Sequence, residues 1–345
     1  MTTAARIADG PIVPIRWDDG TLDIIDQRLL PGEERHLRLS RCEDVAAAIG
    51  ALAIRGAPLL GIAAAYGLVL AARDGRLEQG AALLRAARPT AVNLPRTVDL
   101  CLDIALTNPA AAVEALLNQA QRLESAEARA CDAIVRHGAA LLAGARTIMT
   151  VCNTGALGTG HRGTALGIIV QLADEGPVTA ICCETRPLLQ GARLTTWELS
   201  RHGVPAQLIV DGAAAAILRT GDIDAVVVGC DRLAANGDLI NKIGTYGVAL
   251  AAAAHGVPFV AAVTMSSIDR SALSGDDIRI EMRAPDEVLN LVDGVAALPG
   301  VAALNPAFDV TPAHLVSAIV TEQGVIRRAD DPRVRRLRAA ARNAS

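Results

Sequence analysis

After Gly144 the chain settles into a rhythm that few folds accept. Short apolar runs at Thr147–Cys152, Thr179–Cys183, Gln207–Val210, Ala225–Gly229 and Phe259–Val263 recur every 20–35 residues or so. Helix-like stretches separate most of them, at Thr164–Ala173, Leu188–His202, Ala213–Leu218 and Lys242–His255. Strand alternating with helix predicts an α/β fold, a parallel sheet with helices on both faces. Each apolar run is followed at once by polar residues. These are Cys152-Asn153-Thr154-Gly155, Glu184-Thr185-Arg186-Pro187, Asp211-Gly212, Cys230-Asp231-Arg232 and Thr264-Met265-Ser266-Ser267. Open α/β sheets bind ligands outside the carboxyl ends of their strands, so function is expected there.

The first part of the chain has another texture. Ile12–Trp17 and Thr21–Ile25 flank Asp18-Asp19-Gly20 and read as a short β segment with a turn. Alanine-rich helical periodicity then runs through Cys42–Ile54, Pro58–Ala72, Leu77–Ala87, Leu94–Ala105 and Ala110–Leu142. The change of texture puts a boundary near Gly144–Arg146, giving a helical domain at 1–144 and an α/β domain at 145–345. The basic tail from Arg327 to Ser345 reads as a solvated helical end.

Composition narrows the function. Hydrophobic residues make up 51%, yet Phe, Trp and Tyr number two each, so there are few aromatic platforms for stacking bases. The net charge of −4 gives no reason to expect nucleic acid or an anionic membrane as partner. The most apolar stretch, Ala57–Ala72, is broken by Pro58, Gly61 and Gly67 and falls short of the roughly 20 residues a bilayer span requires. Met1–Pro11 lacks a signal pattern, and a cytoplasmic location is expected. Seven cysteines, an odd number with no C-x-x-C pair, suggest neither a disulfide framework nor a zinc site. The scattered histidines form no metal or Ser-His-Asp constellation.

Gly158-Thr159-Gly160-His161-Arg162-Gly163 matches G-x-G-x-x-G, with Glu184 placed like a ribose-binding acid. The spacing argues against a dinucleotide. The first glycine of that motif should follow its strand almost directly, whereas Cys152 to Leu157 intervene here. A glycine-rich loop leading into a helix still suits a single phosphate.

The residues able to carry chemistry are few. Arg55-Gly56-Ala57 precedes Pro58 and the most apolar helix, a place for an anion clamp with open backbone amides or for an arginine capping a neighbouring helix. Cys152 ends a strand ahead of Asn-Thr-Gly and a helix. It reads either as a buried small residue or as a thiol whose pKa a helix N-terminus would lower. Cys182 and Cys183 lie within a strand and read as structural, and Cys230 is ambiguous. Asp231, behind the apolar 226–229 run, is a turn cap or a desolvated general acid. Asn241-Lys242-Ile243-Gly244-Thr245 reads as a helix start suited to phosphate.

Several long segments resemble one family. They are Asp26–Glu34, Ile54–Pro58, Arg88–Leu94, Cys152–Leu157, Glu184–Thr195, Asp231–Asp238, Asn241–Tyr246 and Asn305–Pro312, in the family's order along nearly the whole chain. The sequence is similar to the S-methyl-5-thioribose-1-phosphate isomerases, relatives of the regulatory subunits of translation initiation factor 2B. The resemblance implies a small leading β segment, a helical domain, a Rossmann-like domain and a homodimer. It implies a sugar phosphate substrate; with no metal motif in the chain, no metal is expected, and no cofactor. It carries the catalytic pair onto Cys152 and Asp231, and substrate contacts onto Arg55, Gly56, Ala57, Arg88, Gln190, Asn241 and Lys242. The regulatory subunits typically lack that pair. The chain departs from the family pattern at His161-Arg162 and at Val263–Asp269, where a usual Pro-Leu-Ser-Thr-Phe-Asp is replaced. Related isomerases act on 5-deoxyribose 1-phosphate and ribose 1,5-bisphosphate.

Overall fold

Asp19 and Gly20 both adopt positive φ, 40° and 79°, between β1 (Ile15–Asp18) and β2 (Thr21–Ile25). Two such residues make the tight turn whose twist matches an antiparallel hairpin. A third strand, β3 (His36–Leu39), pairs with β2 and completes a small sheet. The computed structural model describes residues 10–88, 93–107, 109–290, 297–298 and 300–328. Residues 89–92 of the family-like Arg88–Leu94 segment and the tail from 329 onward lie outside the described residues.

Five helices follow: α1 (Cys42–Gly50), α2 (Ala57–Arg73), α3 (Leu77–Ala87), α4 (Asn93–Thr107) and α5 (Ala112–Leu141). Helix α2 has no polar face, and every residue from Leu59 to Ala71 is buried. A helix apolar all round must be surrounded. Helices α1, α3 and α4 do this, and the alanines and glycines of α2 let them approach closely. Tyr66 is the polar exception in α2. Its ring stacks on Trp17 at a centroid distance of 5.1 Å, and its hydroxyl donates to the Glu124 carboxylate.

By packing, the chain forms two units that are not contiguous in sequence. The first comprises Met1–Asp132 and Thr154–Gly167, the second Ala133–Asn153 and Ile168–Ser345. The chain leaves the second unit directly after β4 (Thr147–Thr150) to form the single turn α6 (Ala156–Thr159) in the first, and returns within α7 (Ala165–Glu175).

In the second unit come β5 (Thr179–Cys183), a π-helical turn at Gly191–Thr195 running into α8 (Thr196–Arg201), β6 (Ala206–Ile209), α9 (Ala214–Arg219) and β7 (Ala225–Val228). Then follow β8 (Arg232–Ala234), β9 (Leu239–Lys242), α10 (Thr245–Ala254), β10 (Phe259–Ala262), β11 (Ile268–Asp269), β12 (Phe308–Thr311), β13 (Ala318–Thr321) and β14 (Gly324–Arg327). The large sheet has the order β14-β13-β10-β7-β4-β5-β6. All its pairings are parallel except the β13–β14 hairpin. This is the doubly wound order, in which the winding reverses between the first and fourth strands, here β4 and β7.

The expected strands and helices are present, with corrections: strands β3, β13 and β14 have no counterpart in the sequence reading, and Arg327, read as opening a helical tail, ends β14. A second sheet, β11-β8-β9-β12, has no counterpart in the sequence reading. Lys242 belongs to β9, and the helix expected from Lys242 begins at Thr245. Among the described residues no single helix is long and apolar enough to cross a membrane.

Tyr66→Phe removes the hydroxyl bound to Glu124 and leaves the stack on Trp17 in place. We expect a loss of about 1–2 kcal/mol, measured by urea unfolding followed through tryptophan fluorescence.

Candidate functional site

Strands β4 and β7 are direct neighbours, with Ile148 opposite Ala225 and Met149 opposite Val226. Adjacent strands run about 4.8 Å apart. Cys152 stands two residues beyond the end of β4 and Asp231 three residues beyond the end of β7. The sheet thus carries a thiol and a carboxylate to the same edge, one on each side of the switch point.

Cys152 is 7% exposed and has left-handed backbone, φ 65°. Its N–H donates to the Thr185 hydroxyl at 2.9 Å, and its carbonyl accepts from the Thr195 hydroxyl at 2.6 Å. The Asn153 amide donates to Thr195 Oγ1 at 3.2 Å and to the buried Glu198 carboxylate at 2.7 Å. The helix expected behind Cys152 is the one turn α6, and Asn153, Thr154 and Gly155 separate the two. The thiol therefore does not sit on a helix N-terminus.

Asp231 is half-buried, and its N–H donates to the Ile240 carbonyl at 3.1 Å, tying it to the β8–β9 hairpin. Burial, and then the neighbouring Asp231 charge, push the Cys230 thiol well above its ordinary value. Burial likewise pushes Cys42, Cys182 and Cys183 up to about 12 and Cys101 up to about 11. All five thiols are shifted away from the thiolate.

Gln190 precedes the π-helical turn and is 7% exposed. Its Oε1 has no hydrogen-bond partner among the described residues. A buried acceptor left open in a native fold calls for an explanation, and a ligand hydroxyl supplies one.

Asn241 and Lys242 end β9. The Asn241 amide donates to the Thr245 hydroxyl at 3.2 Å, and that hydroxyl donates to the Lys242 carbonyl at 2.6 Å. The Lys242 ammonium lies 4.4 Å from the centre of the Phe308 ring, within cation–π range. At the start of α10 the Gly244 and Tyr246 amides donate to the Asp309 carboxylate at 2.8 and 3.1 Å. Burial raises Asp309 to about 6, partly offset by those amides and by Lys242. These α10 amides already have a carboxylate, so an anion here would meet the Lys242 side chain rather than the helix end. This corrects the expectation of a phosphate-binding helix start.

The remaining expected contacts lie in the first unit. Arg55 is half-buried, and Gly56 and Ala57 open α2, which carries Pro58 in its first turn, no side-chain cap and no acidic residue there. An uncapped helix start beside an arginine is an anion-binding arrangement. Arg88, half-buried, closes α3. The structure therefore gathers Cys152, Asp231, Gln190, Asn241 and Lys242 in one unit, and Arg55, Gly56, Ala57 and Arg88 in the other.

The G-x-G-x-x-G glycines have a packing role. Gly56 has φ 91°, and a Cβ there would lie 2.1 Å from the Gly158 carbonyl oxygen, so the two glycines let the Arg55–Ala57 loop rest on α6. Gly158 lies inside α6 rather than in a strand-to-helix turn. Sequence reasoning did not single out Thr195, Glu198 or Asp309. Their roles arise from contacts between distant segments, and their only sequence signal is that Thr195 and Asp309 lie in family-like stretches.

The sequence matches the initiation factor 2 subunit family over residues 53–328. It is 47% identical to a 5-deoxyribose 1-phosphate isomerase of Moorella thermoacetica, the match covering 92% of this chain and 95% of that protein. It is also 47% identical to a methylthioribose-1-phosphate isomerase of Synechococcus sp. strain CC9605, over 90% of this chain and 93% of that one. The crystal structure of 5-methylthioribose 1-phosphate isomerase from Pyrococcus horikoshii OT3 matches the fold with a TM-score of 0.86 and 35% identity, covering 100% of this chain and 99% of the other. This chain belongs to the initiation factor 2 subunit family.

Proposed function

We propose that this protein is an aldose–ketose isomerase. It converts S-methyl-5-thioribose 1-phosphate to S-methyl-5-thioribulose 1-phosphate, the isomerisation of methionine salvage, as a cytoplasmic homodimer that needs no cofactor. The observation that carries the reading is the placement of Cys152 and Asp231 just beyond the ends of adjacent strands β4 and β7, where the winding reverses. The names of the relatives support the reaction class.

In a sugar 1-phosphate the anomeric oxygen is capped, so the ring opens only if its oxygen is protonated while the phosphate stays attached. Asp231 is the general acid for that step, which requires it to be protonated. Cys152 is the base. As thiolate it takes the C2 proton, giving an enol phosphate that is reprotonated at C1 as the C2 hydroxyl becomes the ketone. In the competing route it takes the C2 hydroxyl proton while hydride moves from C2 to C1. Gln190 donates or accepts at a sugar hydroxyl. Arg55, the Gly56 and Ala57 amides and Arg88 in the first unit, and Lys242 with Asn241 beside it in the second, are each suited to contact the phosphate.

A second reading, 5-deoxyribose 1-phosphate as substrate, is favoured by the Moorella relative. One extra group in an apolar pocket discriminates by about 1–3 kcal/mol, so the ratio of kcat/KM for the two sugars decides between them.

Cys152→Ser and Asp231→Asn should each lower kcat at least about 100-fold, the scale of acid–base groups, with circular dichroism unchanged. Near-normal kcat in either removes that residue from the mechanism. Arg55→Ala should weaken substrate binding about 10- to 100-fold, the worth of one charge-assisted hydrogen bond, seen as a raised KM. Turnover in D₂O separates the two routes. Deuterium at C1 of the product is the expected result for the proton route, and its absence supports hydride shift or a proton shielded from solvent.

A further inference from the structure

Cys152 and Thr185 share an unusual backbone. Both lie in the left-handed region, at φ 65° and 64°. That region is a genuine outlier for a β-branched residue such as threonine, and it persists only where surrounding contacts over-determine it. Thr185 follows β5, the neighbour of β4, and is fully buried. Its hydroxyl is used twice. It accepts the Cys152 N–H at 2.9 Å and donates to the Cys183 carbonyl at 3.1 Å. The Thr185 and Arg186 amides donate to the two carboxylate oxygens of Asp211, at 2.8 and 2.7 Å. Asp211 follows β6, the next strand out. Polar contacts thus run across three consecutive strand ends, from Asp211 to Thr185 to Cys152.

We infer that Thr185 is a positioning residue for the reaction, locking Cys152 in its left-handed turn, with Asp211 holding Thr185 in place; this rests on reading Cys152 as the base. A residue in left-handed backbone leaves the alternation of its strand, so the turn rather than the pleat sets the direction of the thiol. Thr195 fastens the carbonyl side of Cys152. The N–H side depends on the Thr185 hydroxyl, and without it the residue is released toward ordinary extended backbone. A misplacement of about 1 Å costs on the order of 100-fold in rate.

The test compares Thr185→Val, which keeps the branched shape and loses the hydroxyl, with Thr185→Ser, which keeps the hydroxyl. Two quantities are read: steady-state kcat and KM, and the iodoacetamide alkylation rate of Cys152 followed by peptide mass spectrometry. We expect Thr185→Val to lower kcat about 10- to 100-fold with KM changed less than about threefold, and to alter the alkylation rate across pH. Thr185→Ser should restore both to near the parent values. Asp211→Asn, a milder change at the next link, should shift both readouts in the same direction if Thr185→Val does not fold. The inference is overturned if kcat and alkylation are unchanged in Thr185→Val, or if Thr185→Ser folds normally yet leaves kcat low. Altered alkylation in Thr185→Val together with full turnover in Cys152→Ser would uphold the clamp and refute the catalytic reading of the thiol.

Discussion

Strand β4 carries the reversal of the sheet. From it the chain winds outward through β5 and β6, then returns to lay β7 on its other side and continue to β10 and β13. Connections diverge at that strand, and doubly wound sheets as a class bind ligands at such a point. Cys152 follows the end of β4 by two residues, and Asp231 follows the end of β7 by three. The interior of the second unit is arranged around that edge. Strands β4, β5, β7 and β10 are almost wholly buried and carry no charged residue.

Much of the buried polarity near Cys152 serves backbone geometry rather than solvent or charge. Thr185, Thr195 and Asn153 are all nearly inaccessible, and each hydrogen-bonds a neighbouring backbone or side-chain group. The Glu184–Thr195 segment concentrates unusual local structure. It has left-handed Thr185 and Leu189, a cis Arg186–Pro187 bond and a π-helical turn opened by Gly191, whose missing Cβ would fall 1.8 Å from the Cys183 carbonyl oxygen. Left-handed residues and a π-helical turn so close together persist where contacts from other segments hold them.

Five of the seven strands of the main sheet are legible in the sequence: β4, β5, β7 and β10 because buried parallel strands need unbroken apolar runs, and the exposed edge strand β6 through its short Leu208–Val210 run, whereas β13 and β14 are not. The smaller sheet is not. Its strands are two to four residues long and include Arg232, Asn241, Lys242 and Asp269, so they offer neither a run nor an alternation. Asn241-Lys242 reads as a helix start because Gly244-Thr245 follows, and the pairing of β9 with distant β12 overrides that local signal. Cys152, Asp231 and Arg55 stand out from the residues themselves, placed at the ends of apolar elements. Arg88 and Gln190 have no such signal and enter only through the family resemblance. Thr185 shows up as part of a polar cluster, but its bond to Cys152 spans 33 residues and has no local trace.

The return of the chain into the first unit has a consequence for the order in which the molecule can be made. Gln27, in the turn after β2, donates to the Leu157 carbonyl at 2.8 Å, and Gly56 closes on Gly158. Both partners belong to the short 154–167 excursion, which is synthesised only after the whole of α5 and β4. Domains usually fold as they emerge, N-terminal first. Here the helical unit must wait, with the Arg55–Ala57 loop unsupported, until the first strand of the neighbouring sheet has left the ribosome. The two units are thus coupled in time by the path of the chain, and neither corresponds to a segment that a single cut of the gene could release.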